Sequence, residues 1–230
     1  MLDRFELVDL THTITTSIPS WQGTASFSFT IIKDYHQGNR TQQFNIASNT
    51  GTHIDSPGHF HKDAKTVDSI PLSKLIVPAF VLNVSNKIND HYRVSEVDLE
   101  EFEKKYGNIP AQSLVIIHTG WCTRWNEHQK YRNLDENGIM HFPGLSEGIA
   151  HAFVERNIAG IAIDTFSPDG SDYNFPVHKI LLSKGIYIIE NITNGDKLPP
   201  TGAFAAALPI KIYDAVEAPI RIVGFIPKKN

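Results

Sequence analysis

Four side chains that can bind a metal or move a proton lie within nine residues of one another: His53, Asp55, His59 and His61. If this stretch is extended, His53 and Asp55 lie on the same face of a strand, which is how a strand offers two ligands to one ion. A turn at Pro57–Gly58 would bring His59 back over that face. His59 is then either a third ligand or an acid/base, since an unperturbed pKa of about 6.5 suits proton transfer near neutrality. Both roles are open on this pattern.

Two further residues of ligand type lie far along the chain. Glu190 closes the apolar run Ile186–Ile189, where a carboxylate is costly unless it is paired or bound to a metal. His178 lies twelve residues before Glu190 on a segment expected to be a short helix. Taken alone, His178 is more typical of a helix surface. Glu190 strengthens the indication that the His53–Asp55 pair binds a metal, and His178 supplies another residue of ligand type.

Composition limits the class of protein and the kind of partner. The 230 residues include 21 basic and 25 acidic side chains, a net charge of −4, eleven histidines and a single cysteine, Cys122. One cysteine excludes an intrachain disulfide and a multi-thiolate zinc site. The absence of a polycationic surface argues against nucleic acid or an anionic membrane as partner, and no apolar run reaches the length of a membrane span. We expect a cytoplasmic protein that acts on a small molecule.

The elements that must position the site alternate between strand and helix. In chain order, the predicted strands are Phe5–Leu10, Phe27–Ile32, Ala79–Val84, Ser113–His118, Ile158–Ile163, Ile186–Glu190, Ala205–Tyr213 and Pro219–Ile226. The predicted helices are Ser95–Tyr106, closed by Gly107, Leu145–Arg156 and Val177–Ser183. Glycine and proline do not gather at one joint, so residues 1–230 are expected to form one mixed α/β domain around a central sheet.

Several motifs resemble those of one known family. The segment Asn49-Thr50-Gly51-Thr52-His53-Ile54-Asp55-Ser56-Pro57-Gly58-His59 is similar to the signature His-x-Gly-Thr-His-x-Asp-x-Pro-x-His of the cyclase family, which includes bacterial kynurenine formamidases and isatin hydrolases. Segments 118–121, 142–146, 160–165, 176–179, 189–191 and 198–203 also resemble family motifs. The resemblance covers nearly the whole chain.

The resemblance implies a swivelling β/β/α-type single domain with a central mixed sheet, and a site assigned position by position. It implies one or two divalent ions per subunit, zinc or manganese, held by His53, Asp55, His178 and Glu190. Of these, Asp55 and Glu190 are the residues that can bridge two ions. His59 would be the proton donor or acceptor, and the family's oligomers imply a homodimer or homotetramer.

Asn49 departs from the signature, because the family has histidine at this position. An amide oxygen can still bind a metal, but it is a harder ligand than imidazole and shifts the preference from zinc toward manganese or magnesium. Asn49 is therefore a doubtful ligand. A mononuclear or manganese enzyme is one interpretation of this departure.

Aromatic residues indicate the kind of substrate. Trp21 resembles an N-terminal aromatic residue that packs on the substrate ring in the family, and Phe60 and Trp121 are candidate substrate contacts. Each of them has core packing as its alternative, as has Trp125. The insertion from Cys122 to Phe142 is a lid, a subunit-contact arm or a solvated loop. Cys122 has no recognisable catalytic partners and is expected to be structural.

The leading interpretation is a metal-dependent hydrolase of a non-peptide C–N bond in a small aromatic amide. It resembles an arylformamidase such as kynurenine formamidase of tryptophan catabolism, with activated water as nucleophile. A hydrolase of cyclic amides or lactones, similar to isatin hydrolase, is the alternative within the same chemistry. The alternative from another class is a non-catalytic ligand-binding protein whose metal site is disabled by Asn49. The presence of His59 argues against it, because a pure binder needs no proton-transfer residue.

Overall fold

The computed structural model describes residues 2–228. Its strands are β1 (Phe5–Asp9), β2 (Phe27–Lys33), β3 (Thr41–Ile46), β4 (His53–Asp55), β5 (Ile76–Asn83), β6 (Arg93–Val94), β7 (Leu114–His118), β8 (Gly144–Leu145), β9 (Gly160–Ile163), β10 (Tyr187–Glu190), β11 (Ala203–Pro209) and β12 (Glu217–Pro227). Its α-helices are α1 (Leu72–Leu75), α2 (Glu96–Tyr106), α3 (His128–Arg132), α4 (Glu147–Glu155) and α5 (Pro176–Ser183). Short 3₁₀ turns, including Pro57–His59, connect several of them.

A mixed eight-stranded sheet closes on itself through the short strand β4. The order is β1-β12-β11-β5-β7-β9-β10-β4, and β4 also pairs with β12. Strands β5, β7, β9 and β10 are mutually parallel, whereas the remaining pairings of the sheet are antiparallel. The prediction of a mixed α/β fold with a central mixed sheet is confirmed. The closure matters for function because β4 carries two of the predicted ligands.

Buried side chains lie on both faces of this sheet. On one face, strand residues such as Ile54, Ile116 and Ile189 form a cluster inside the closed sheet. On the other face, alternate strand residues pack against the buried sides of α2, α4 and α5. Because β7 is buried along its whole length, its continuous apolar sequence is explained by packing on both sides.

The predicted helix after Ser95 and the predicted strand–helix–strand unit are both confirmed. Ser95 caps α2, and its capping box with Asp98 accounts for the start of this helix. Strands β9 and β10 pair in parallel, with α5 between them in the chain. The helix predicted from Leu145 instead begins at Glu147, because the Ser146 hydroxyl oxygen accepts a hydrogen bond from the Ile149 amide.

Sequence reasoning missed strand β3 and placed one end wrongly. Strand β3 pairs with β2 in a separate hairpin, and all but one of its residues are exposed, so no alternation of buried and exposed positions marks it. The strand predicted to run to Tyr213 ends at Pro209. Pro209 pairs with Ile220, and a proline cannot donate a further ladder hydrogen bond.

The insertion between Cys122 and Phe142 is partly core. Trp125, Tyr131, Met140 and Phe142 are buried, and they form a cluster with Trp121 and Phe166. The interpretation of this segment as a wholly solvated loop is therefore wrong. Trp21 packs edge-on against Phe142, so the insertion supports a residue of the candidate site. No helix within residues 2–228 is long and apolar enough to cross a membrane.

Candidate metal centre and active-site cavity

Strand β4 presents His53 and Asp55 between two partner strands. In the antiparallel pairing with β10, His53 lies opposite Glu190. In the pairing with β12, Asp55 lies opposite Glu217. Side chains of residues 53 and 55 leave the same face of an extended strand, as predicted. The register therefore brings carboxylates from two distant segments to the two residues of the motif.

Four of the predicted ligands converge in one buried cluster. The Nε2 atom of His53 lies 3.5 Å from Asp55 Oδ1 and 3.3 Å from Glu190 Oε2. The Nε2 atom of His178 lies 3.4 Å from Asp55 Oδ2 and 3.2 Å from Glu190 Oε1. All four residues are at most 5% exposed. His178 is thus part of the site and does not lie on a helix surface.

Hydrogen bonds donated by Nδ1 orient both imidazoles. His53 Nδ1 lies 2.9 Å from the Gly51 carbonyl oxygen, and His178 Nδ1 is hydrogen-bonded to Asp169. When Nδ1 carries the proton that it donates, Nε2 is left to face the carboxylates as a ligand. Asp169 was missed by the sequence reasoning. Its Pro-Asp-Gly context is typical of a turn, and no spacing links it to His178.

Asp169 also holds the first turn of α5. Its carboxylate accepts hydrogen bonds from the backbone amides of Val177 and His178, at 2.7 and 3.3 Å.

Asp169→Asn is expected to weaken divalent-metal affinity by about 10–100-fold, because the outer partner of a ligating imidazole sets its orientation and basicity. Competition with a coloured chelator measures this change. Asp172→Asn, in the same loop but exposed, is the matched control, and equal affinity in the two variants would contradict the assignment.

The field inside the cluster is strongly negative. Burial lowers the pKa of His53, but the charges of Asp55 and Glu190 outweigh it and raise that pKa to about 9. For His178, burial is likewise outweighed by hydrogen bonds to the surrounding carboxylates, and its pKa lies well above the ordinary value. Burial opposes ionisation of Asp55, yet the two imidazoles lower its pKa. A cation in this position would be stabilised by the same field.

The donor set fits a divalent ion. The four nitrogen–oxygen separations of 3.2–3.5 Å are at or beyond the long end of hydrogen bonds. They match the spacing of about 3.4 Å between two ligand atoms that share one tetrahedral ion at about 2.1 Å. Asp55 Oδ1 is buried and has no hydrogen-bond partner among residues 2–228, which is costly for a carboxylate oxygen without a cation.

A cavity of about 280 Å³ opens directly above this cluster. Its polar lining is Asn49, His53, Asp55, His59, Ser167, His178, Glu190, Asn191 and Glu217, and its aromatic lining is Trp21, Phe60, Phe166 and Phe175. Trp21 and Phe60, two of the predicted substrate contacts, therefore line this cavity. Phe166 and Phe175 were not predicted, because each lies in a loop with no periodic pattern.

The expectation for Trp121 is corrected by the structure. This indole is 2% exposed, and its Nε1 donates a hydrogen bond to the Tyr131 carbonyl oxygen at 2.9 Å. Trp121 does not line the cavity and belongs to the core beneath the insertion. Trp125 is buried in the same cluster. The core-packing alternative applies to both residues.

His59 and Glu217 form a polar pair at the cavity wall. His59 Nε2 lies 3.7 Å from Glu217 Oε1, with the two side chains 29% and 13% exposed. The other carboxylate oxygen of Glu217 accepts a hydrogen bond from Ser48 at 2.8 Å. Burial and the nearby Asp55 raise the pKa of Glu217. The sequence signal for Glu217 was weak, because a glutamate at the start of a strand is ordinarily exposed.

Cys122 does not line this cavity. Burial and the neighbouring Asp164 raise the pKa of its thiol to about 12. The thiolate is the nucleophilic form of cysteine, so this environment suppresses it. The expectation that Cys122 is not a nucleophile agrees with this environment.

The fold is mixed α/β with a closed sheet, and a His–Asp–His–Glu cluster lies at the floor of its aromatic-lined cavity. These features define a class of protein with a candidate divalent-metal centre. The chain belongs to the Cyclase family, whose model matches residues 8–170. The resemblance drawn from the motifs is therefore confirmed at the level of the family.

Similar proteins of this family are hydrolases. The chain is 28% identical over 195 residues to an isatin hydrolase from Roseibium aggregatum, covering 80% of this chain and 73% of that one. It is 27% identical over 221 residues to a kynurenine formamidase from Bacillus cereus, covering 95% and 96%. The structure of isatin hydrolase A from Labrenzia aggregata bound to benzyl benzoate superimposes with a TM-score of 0.92 at 27% identity, covering 98% and 95%.

Proposed function

We propose that this protein is a metal-dependent hydrolase of a C–N bond, other than a peptide bond, in a small aromatic amide. The observation that carries the proposal is the juxtaposition of His59 with the buried His53–Asp55–His178–Glu190 cluster in one aromatic-walled cavity. Ligand types, a proton-transfer group and ring-stacking side chains are thus present together. The hydrolases among the similar proteins support the same reaction class.

The cluster residues would hold the ion, and the cavity residues would handle the substrate. A divalent ion, when bound, lowers the pKa of its water and polarises a carbonyl group. His59 lines the cavity and would take up a proton from the attacking water and deliver it to the leaving nitrogen. Glu217 Oε1 faces the His59 ring, 3.7 Å from Nε2. Trp21 and Phe175, whose ring centroids are 6.1 Å apart, offer faces against which a flat substrate packs.

The charge of the lining distinguishes two substrate types. No lysine or arginine lines the cavity among residues 2–228, so the protein offers no counter-ion to the α-carboxylate of N-formylkynurenine, a zwitterion whose two charged groups are both costly to bury. A neutral fused lactam such as isatin needs none. This observation favours a cyclic amide over an amino-acid formamide, whereas the similar proteins include both isatin hydrolases and kynurenine formamidases.

The direct test is hydrolysis of isatin, N-formylkynurenine and a simple lactone, each with added manganese or zinc. We expect metal-stimulated ring opening of isatin, monitored as the loss of isatin absorbance. Turnover of the formamide should be slower or absent. A chelator should remove the activity, and added metal should restore it. Absence of turnover of all three compounds with either metal, in protein shown to bind metal, would contradict the proposal.

A further inference from the structure

Glu217 lies beside His53 and Asp55 although it comes 162 positions after Asp55 in the chain. The pairing of β4 with β12 places Glu217 directly opposite Asp55. Ligand atoms of His53, Asp55 and Glu217 all lie within 4.8 Å of one another. A second such group is formed by Asp55, His178 and Glu190. The two groups share Asp55, and each brings residues that the other lacks.

Asn49 is at the place where an imidazole is missing from the signature. Its side chain lines the same cavity and is partly exposed. Glu217 lines this cavity as well, but it comes from the C-terminal part of the chain. A carboxylate from β12 is therefore available to the group that contains His53, without any contribution from position 49.

We propose that Glu217 is a ligand of a second divalent ion, which it holds together with His53 and Asp55. The inference rests on the proposed function, because it assumes that the Asp55–His178–Glu190 group holds the first ion. The donor set of one imidazole and two carboxylates is rich in hard oxygen ligands. Such a site suits manganese or magnesium better than a site rich in thiolates or imidazoles does. The substitution at Asn49 then changes the composition of the second site without abolishing it.

The charge of the cluster supports a second cation. Asp55, Glu190 and Glu217 are three carboxylates around two imidazoles, and they are 1%, 7% and 13% exposed at the side chain. One divalent ion neutralises two of these three charges. Since an uncompensated buried charge is costly, a second cation beside Glu217 is electrostatically favoured.

Within residues 2–228, only one of the two carboxylate oxygens of Glu217 accepts a short hydrogen bond, which leaves the other oxygen for a metal. The hydrogen bond from Ser48 at 2.8 Å occupies Oε2, while Oε1 faces His59 at 3.7 Å. This separation is too long for a strong hydrogen bond, so His59 alone does not satisfy Oε1. The competing role is that Glu217 only orients His59, and metal stoichiometry separates the two roles.

The test titrates metal-free protein with manganese and counts bound ions by calorimetry and elemental analysis. Wild type is expected to bind two ions per chain. Glu217→Gln is expected to retain one ion and to bind the second more than about 100-fold more weakly, beyond the loss typical of an outer partner. Ser48→Ala is the matched control and should stay within about that outer-partner range. Glu217→Asp keeps a carboxylate and should retain both ions with weakened affinity for one.

Circular dichroism and the unfolding midpoint of each metal-free variant verify that the fold is kept. Two tightly bound ions in Glu217→Gln would overturn the inference, and so would a single bound ion in wild type. Either result leaves the proposed hydrolase intact if wild type still opens its substrate with added metal. Absence of any metal binding in wild type would overturn both proposals.

Discussion

Replacement of His59 by alanine is expected to lower kcat by about 10²–10⁴-fold, the usual contribution of a positioned acid/base. Metal content should stay as in wild type, because His59 belongs to neither of the two groups of ligand-type residues around the cavity. Steady-state kinetics measures kcat on the hydrolysed substrate, and elemental analysis of the same preparation measures the metal content. The combination of lost turnover and retained metal identifies proton transfer as the missing step.

His61→Ala is the matched control for this experiment. His61 is two residues away on the same loop, but its Nε2 lies 3.2 Å from the Lys179 carbonyl oxygen, and it does not line the active-site cavity. Its turnover should equal that of wild type. A loss of metal in His59→Ala would contradict the proton-transfer role and would make His59 a ligand, the other role left open by the motif.

Asp55→Asn is expected to have the second large effect. Asp55 is the one residue common to both candidate metal groups around the cavity, and an amide lacks the negative charge that holds a cation there. We expect metal binding to become so weak that gel filtration removes the metal from the protein. Turnover should fall by roughly 10³-fold or more, since bound metal supplies several kcal/mol of transition-state stabilisation. Elemental analysis and kinetics on one sample measure both effects.

Asp63→Asn is the control, because Asp63 is exposed and eight residues farther along. Its backbone has a φ of 63°, a conformation that asparagine tolerates well. Its metal content and turnover should therefore match those of wild type. Full metal content in Asp55→Asn would show that the ion is held elsewhere, and the proposed centre would then be wrong.

The sequence predicted the elements whose signals are local. The capping box at Ser95, the apolar run of β7 and the extended His53–Asp55 pair all depend on neighbours in the chain. The helix containing His178 follows from Pro176 at its first position, where proline is favoured. These features need no knowledge of the tertiary fold, and each was placed within a few residues.

Convergence in space could not be predicted in this way. Asp169 reaches His178 only because the loop after β9 folds against the start of α5. Glu217 meets Asp55 only because the sheet closes between β4 and β12. Trp121 was misassigned for the same reason: a buried indole and a cavity-lining indole have the same local sequence signal, and burial depends on what packs against them.

The sequence by itself determined the ligand types, their alternation on one strand, the carboxylate that ends a buried strand and the missing imidazole at Asn49. Only the tertiary structure decided which carboxylates face that strand and which aromatic rings wall the cavity. The physical reason is that side-chain type and strand alternation are local properties, whereas strand register and sheet closure are set by packing between segments far apart in the chain.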